Sequence, residues 1–198
     1  MSATQYSIAA PMHREQCRAW SLKWAVCLVL SVLTTDCAPH HTRSTYRAAA
    51  VQYTKPAPAG TAHNNIANVL KDFGTLARTA QAGGAQIVVF PEASLWGHGH
   101  YQNRSSMHQY CEPIPSHSRH SLCHDPAFGH LPQLRGLSCI AEQLGMTVVA
   151  NMADVQPCER GPGCPSDGVL QFNTDVAFSS NGSLLAKYHE AWALCMCW

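Results

Sequence analysis

One pattern occurs twice in this chain, and it restricts the fold more than any other feature. An amphipathic helix runs into glycine, and a short apolar strand follows at once. In the first copy Ile66, Val69, Leu70, Phe73, Ala77 and Ala80 repeat at i, i+3, i+4, i+7 spacing, which predicts one buried helical face from about Thr61. Lys71, Asp72 and Arg78 lie off that stripe, and Gly83-Gly84 ends it. The strand is Ile87-Val88-Val89-Phe90. In the second copy Leu134, Leu137, Ala141 and Leu144 share a face, Gly145 ends the helix and residues 146–150 form the strand. Helices alternating with buried strands predict an α/β layered fold. The right-handed crossover rule makes such strands parallel when they are neighbours. Residues 47–53 read as an earlier strand, closed by Pro56 and Pro58.

The first copy ends on chemistry. Pro91 has no N–H to continue a ladder, so the strand stops there, and the next residue is Glu92. A carboxylate at the carboxyl end of a buried strand sits where α/β folds place their sites. Partial burial there would suit it as a proton acceptor near neutral pH. A loop glutamate capping the next element would give the same pattern.

Near the other end, Phe172, Thr174, Val176 and Phe178 alternate with Gln171, Asn173, Asp175 and Ala177, a half-buried strand. Asn181-Gly182 suggests a type I′ turn into a returning strand over residues 184–189. Between the two helix–strand units, residues 98–130 are rich in His, Ser and Pro, hold seven histidines and read as a long loop.

The chain has 198 residues, which suggests one domain. A net charge of +1 without a basic tract or acidic tail gives no electrostatic case for nucleic acid or an anionic membrane. Ten cysteines point to an oxidising compartment or to metal. Arg14, Arg18 and Lys23 precede the apolar run over residues 24–33, which reads as a secretory signal with cleavage near Cys37 or Ala38. The long leader leaves Met12 open as the start, and a buried core helix is the alternative. No second long apolar run follows, so no membrane span is expected. Secretion fits two acceptor sequons, at Asn103 and Asn181. Cys158 and Cys164 could close a small loop, and Cys123 and Cys139 could tie the histidine region to the second helix. Spacing alone leaves the connectivity open. Cys111, Cys195 and Cys197 have no evident partner.

The order of these pieces resembles the nitrilase superfamily of carbon–nitrogen hydrolases, through residues 48–52 and through Ile87-Val88-Val89-Phe90-Pro91-Glu92. It is similar above all to the secreted vanin and biotinidase branch. That likeness rests on Leu137-Ser138-Cys139, Val149-Ala150-Asn151, Pro157-Cys158, Cys164-Pro165, Asp167-Gly168, residues 171–176 and Lys187-Tyr188-His189. It covers residues 46–189, leaving residues 1–38 as signal and 190–198 as a divergent tail. The resemblance implies a four-layer αββα sandwich and hydrolysis of a small-metabolite amide such as pantetheine or biocytin, with no metal or organic cofactor. It implies a Glu–Lys–Cys triad in which Glu92 is the proton acceptor, a thiolate the nucleophile and an ammonium the oxyanion partner.

Two members of that triad do not carry over. The family's Tyr-His-Lys reads Tyr188-His189-Glu190 here, and the Cys-Phe-Asp segment of the branch does not occur. Lys187 is displaced by strand position and is not promoted. The stretch after His189 resembles a later family segment, His-Ser-Ala-Trp-Ala. The expectation is a truncated chain, spliced or mis-predicted across the nucleophile's exon, that is inactive. Two other classes stand beside it. One is a secreted binding protein that keeps the pocket without turnover. The other is a metal module using the histidine region with Cys111 and Cys123, although no compact ligand pair is present. No Gly-x-Ser-x-Gly elbow supports a serine hydrolase. Oligomeric state is not legible.

Overall fold

The computed structural model describes residues 4–5, 45–54, 60–96 and 103–190. The long helix α1, Ala62–Ala82, begins where Thr61 accepts the Asn64 N–H on its side-chain oxygen. It buries Ile66, Val69, Phe73, Ala77 and Ala80, while Leu70 packs at the edge of that face. It stops at Gly83 and Gly84. Gly84 adopts φ 81°, and a Cβ there would lie 2.6 Å from Arg47 Nη1, which donates to the Gly83 carbonyl. The second long helix, Pro132–Leu144, ends on Gly145 in the left-handed region, at φ 58°.

The strands form one mixed sheet. In chain order they are β1 (Thr4–Gln5), β2 (Ala48–Ala50), β3 (Ile87–Val89), β4 (Cys111–Glu112), β5 (Thr147–Pro157), β6 (Val169–Phe178) and β7 (Leu184–His189). Their spatial order is β1-β2-β3-β5-β6-β7, with β4 pairing beside β5. The run β2-β3-β5 is parallel, as helix-linked neighbouring strands are in α/β folds, and β5-β6-β7 is antiparallel. With Arg104–His108 as α2, Pro132–Leu144 is α3. Helices α1 and α3 pack on each other, and α3 packs on β5 and β6. The layering is α/β. Phe73 stacks on Phe90 with centroids 3.8 Å apart, joining α1 to the end of β3.

Three expectations change. Strand β5 does not stop at Ala150 but continues to Pro157 and pairs with β6 from Val148–Phe178 to Pro157–Val169. The β6–β7 turn is not type I′, because Asn181 does not take positive φ. Instead Gly182 (φ 80°) donates to the Ser179 carbonyl, and Asn181 Oδ1 accepts the Ser183 N–H. A Cβ on Gly182 would meet Ser121 Oγ at 2.5 Å, so α3 and the histidine region crowd this turn. Residues 103–130 are not a free loop. They hold α2, β4 and a short 3-10 turn at Pro126–Phe128. Met107, Tyr110, Ile114 and Leu122 are core residues, and Cys123 is bonded to Cys139 on α3. The bridge Cys158–Cys164 closes the loop between β5 and β6. The expected signal segment lies outside the described residues, apart from the backbone of Thr4–Gln5.

Helix α3 has no side-chain cap at Leu131. Its cap comes from across the chain. Glu112 on β4 accepts the Gln133 N–H (2.7 Å) and the Leu134 N–H (2.9 Å) on its two carboxylate oxygens. Glu112 is 4% exposed, and burial outweighs these bonds, pushing its carboxyl up to about 7. A folded value above the unfolded one means that the native state holds the proton more tightly. The stabilisation is therefore complete below about pH 4.5 and is lost as pH rises to about 7. Urea unfolding at pH 5 and pH 8 checks this. The loss between them should be about 2–3 kcal/mol smaller in Glu112→Gln than in the parent. An equal loss in both would remove Glu112 as the titrating group.

Candidate functional site

After β3, Phe90 still donates to the Val149 carbonyl (2.9 Å), and Pro91 then ends the ladder. Glu92 follows in a turn whose next residue, Ala93, sits at φ 55°. A non-glycine residue there is strained and must be held by its surroundings. The buried Asn151 side chain on β5 holds it, with Oδ1 accepting the Ala93 N–H at 2.9 Å. Leu95 and Trp96, both buried, anchor the chain beyond.

Glu92 itself is exposed, not partly buried as the strand position suggested. Its Oε1 accepts a hydrogen bond from Asn173 Nδ2 at 2.7 Å. Asn173, 4% exposed on β6, accepts in turn from Asn151 Nδ2 at 2.6 Å, and Asn151 also donates to Asp175 Oδ1 at 2.9 Å. The Asn173 carbonyl takes the Glu190 N–H at 2.9 Å. Residue 190 is thus tied to the same asparagine as Glu92. Burial first, and then the charges of Glu92 and Asp175, push the Glu190 carboxyl up.

Lys187 belongs elsewhere. Its Nζ donates to Asp154 Oδ2 (2.7 Å) and to the Ile114 carbonyl (2.6 Å). His189 Nε2 lies 2.8 Å from the same Asp154 oxygen, and its ring stacks on Phe172 at 4.1 Å. Asp154 Oδ1 accepts from the Ile114 N–H and from Gln156 Nε2. Asp154 has no exposed surface.

Among the described residues Cys111 is the free cysteine. Burial, then the Asp154 charge, push its thiol up to about 12, so it is protonated at neutral pH and poor as nucleophile or metal ligand. Cys123, His124 and Glu142 bring donor atoms within 4.8 Å of one another, but the Cys123 sulfur is bonded to Cys139 and supplies no thiolate. The metal reading of this region loses both of its sulfur ligands. Asn103 is exposed at the start of α2, and Asn181 is exposed in the β6–β7 turn. Cys195 and Cys197 lie outside the described residues. No helix among the described residues is long and apolar enough to cross a membrane.

The profile of the carbon-nitrogen hydrolase family matches residues 47–191. Pantetheinase of Sus scrofa is 43% identical over 110 residues, 54% of this chain and 21% of that protein. Biotinidase of Bos taurus is 44% identical over 116 residues, 57% of this chain and 22% of that protein. The chain therefore matches roughly a fifth of the length of these relatives. An amidase structure from Nesterenkonia sp. superposes with TM-score 0.44 at 20% identity, covering 74% of this chain and 43% of that one.

The Asp154 network carries a prediction. Asn in its place keeps the shape, but a neutral amide cannot serve four donors. Asp154→Asn should cost about 3–5 kcal/mol, because it leaves Lys187 without its counter-charge. Adding Lys187→Met should recover part of that loss. Urea midpoints measure both, and a loss under about 1 kcal/mol for the single variant would show the charge to be dispensable.

Proposed function

Because the chain belongs to the carbon–nitrogen hydrolase family, in its pantetheinase- and biotinidase-like branch, we propose that Glu92 is the proton acceptor of a small-amide hydrolase site. Its substrate class is a linear, non-peptide amide such as pantetheine or biocytin. The observation that carries this reading is the placement of Glu92. A carboxylate at the carboxyl end of β3 is held by a buried asparagine that also fixes residue 190. In the chemistry implied, a cysteine thiolate attacks the amide carbon and a thioester forms as the amine leaves. The glutamate takes the thiol proton and later activates water. An ammonium stabilises the oxyanion. No metal or organic cofactor enters.

Position 190 carries a carboxylate where that ammonium would act. A carboxylate beside Glu92 and Asp175 repels an oxyanion, so the chain as written is inactive, with a non-catalytic secreted binding protein as the alternative. The same reading makes residues 1–38 a secretory signal, residues 46–189 the hydrolase-family domain and residues 190–198 a divergent tail. It makes the protein extracellular, with Asn103 and Asn181 as glycan acceptors.

Pantetheine and biocytin hydrolysis by the secreted chain tests the proposal, alongside a version carrying Glu190→Lys and the branch's nucleophile segment. Turnover only in the second version is expected, and ligand affinity without turnover in the first would favour the binding-protein alternative. Turnover by the chain as written would mean that Lys187 or a terminal cysteine does the work. A folded but inactive second version would overturn the substrate assignment.

A further inference from the structure

The two asparagines behind Glu92 form a chain of hydrogen bonds with a fixed direction. It starts at the Ala93 N–H, which can only donate. Asn151 must therefore turn its oxygen to Ala93 and its NH₂ to Asn173. Asn173 must then turn its oxygen to Asn151 and its NH₂ outward, where the Glu92 carboxylate can only accept. Each amide orientation is set by its neighbour, from a backbone N–H to a carboxylate. The backbone ladder of β6 is complete without these side-chain bonds. They serve the turn at Ala93 and the carboxylate at Glu92.

Asn173 does a second thing. Its carbonyl accepts the Glu190 N–H just where β7 ends. One residue thus holds two segments that are far apart in sequence, the turn after β3 and the end of β7. We propose that Asn173, oriented by Asn151, is the positioning residue that sets Glu92 and residue 190 against each other. The importance of that pair rests on the amidase reading above, but the clamp itself does not. Asn is required at 173, since aspartate has the same shape but no NH₂ to offer Glu92.

Carboxyl labelling tests this on the full chain, using a carbodiimide and a simple amine at neutral pH with mass-spectrometric readout. Asn173→Asp and Asn173→Leu should each raise Glu92 labelling roughly 3–10-fold, the factor one net hydrogen bond is worth. The exposed Glu159 should be unchanged. Asn151→Asp should act in the same direction, because Asn173 is then free to flip. A merely structural asparagine would lower Tm and leave Glu92 labelling alone. Unchanged Glu92 labelling in a variant with near-parental Tm overturns the proposal. If the variants do not fold, amide exchange in the unsubstituted chain decides. Slow exchange at Ala93 and Glu190 is expected, and free loop rates at both would overturn the clamp. Failure of the turnover assay would leave these readouts intact, and their failure would leave the assignment of Glu92 standing.

Discussion

Asp154 is a carboxylate with no exposed surface, and the sheet is assembled around satisfying it. A buried charge without partners costs several kcal/mol, so its donors must arrive together. They come from three places. Ile114 supplies a backbone N–H from the segment after β4, Gln156 an amide from β5 itself, and Lys187 and His189 their cations or ring nitrogen from β7. Strand β7 pairs with β6 and does not neighbour β5 in the sheet. The side chains of Lys187 and His189 nevertheless reach Asp154 on β5, which locks the register of β7 from outside the ladder. The histidine-rich segment is locked by the same oxygens.

That anchoring sets the path of the chain beyond His189. With His189 held on Asp154 and stacked on Phe172, residue 190 emerges beside β6 at Asn173. Meanwhile β3 delivers Glu92 to the same asparagine from the other side. Two buried polar groups on β5, three residues apart, thus serve two ends of one site. Asn151 fixes the turn that carries Glu92, and Asp154 fixes the strand that carries residue 190. The arrangement exists because β5 carries buried polar side chains beyond its apolar start at residues 148–150.

Those same residues explain what the sequence hides. Helix α1, its glycine stop, β3 and α3 are legible because Ile66, Val69 and Phe73, or Leu134 and Leu137, repeat at a helical period. Beyond Ala150, Asn151 and Asp154 break the apolar run, and a strand read by hydrophobicity ends too early. Their burial is legible only through partners in the segments after β3 and β4 and on β6 and β7, which no local pattern contains. The histidine-rich stretch misleads for the converse reason. Its composition is that of a loop, yet Met107, Tyr110, Ile114 and Leu122 are spaced irregularly into the core and pinned by Cys123. Glu92 was legible as a position but not as an environment. Pro91 marks where the strand ends, but the left-handed turn at Ala93 that exposes the carboxylate depends on Asn151, 58 residues away.

Position 190 shows how support and chemistry separate in this fold. The groups that orient Glu92 all belong to strands whose polar bonds are complete as they stand. They do not need a cation at 190 to form. Glu190 stands where the proposed mechanism needs a cation, so the charge facing Glu92 is reversed, but Glu190 is only partly buried. Water then relieves most of the repulsion, and such half-exposed pairs interact weakly. Under the proposed mechanism an oxyanion at the same place would have no such relief, because its stabilisation depends on a fixed positive partner. The architecture therefore tolerates a carboxylate at 190 that the proposed reaction would not.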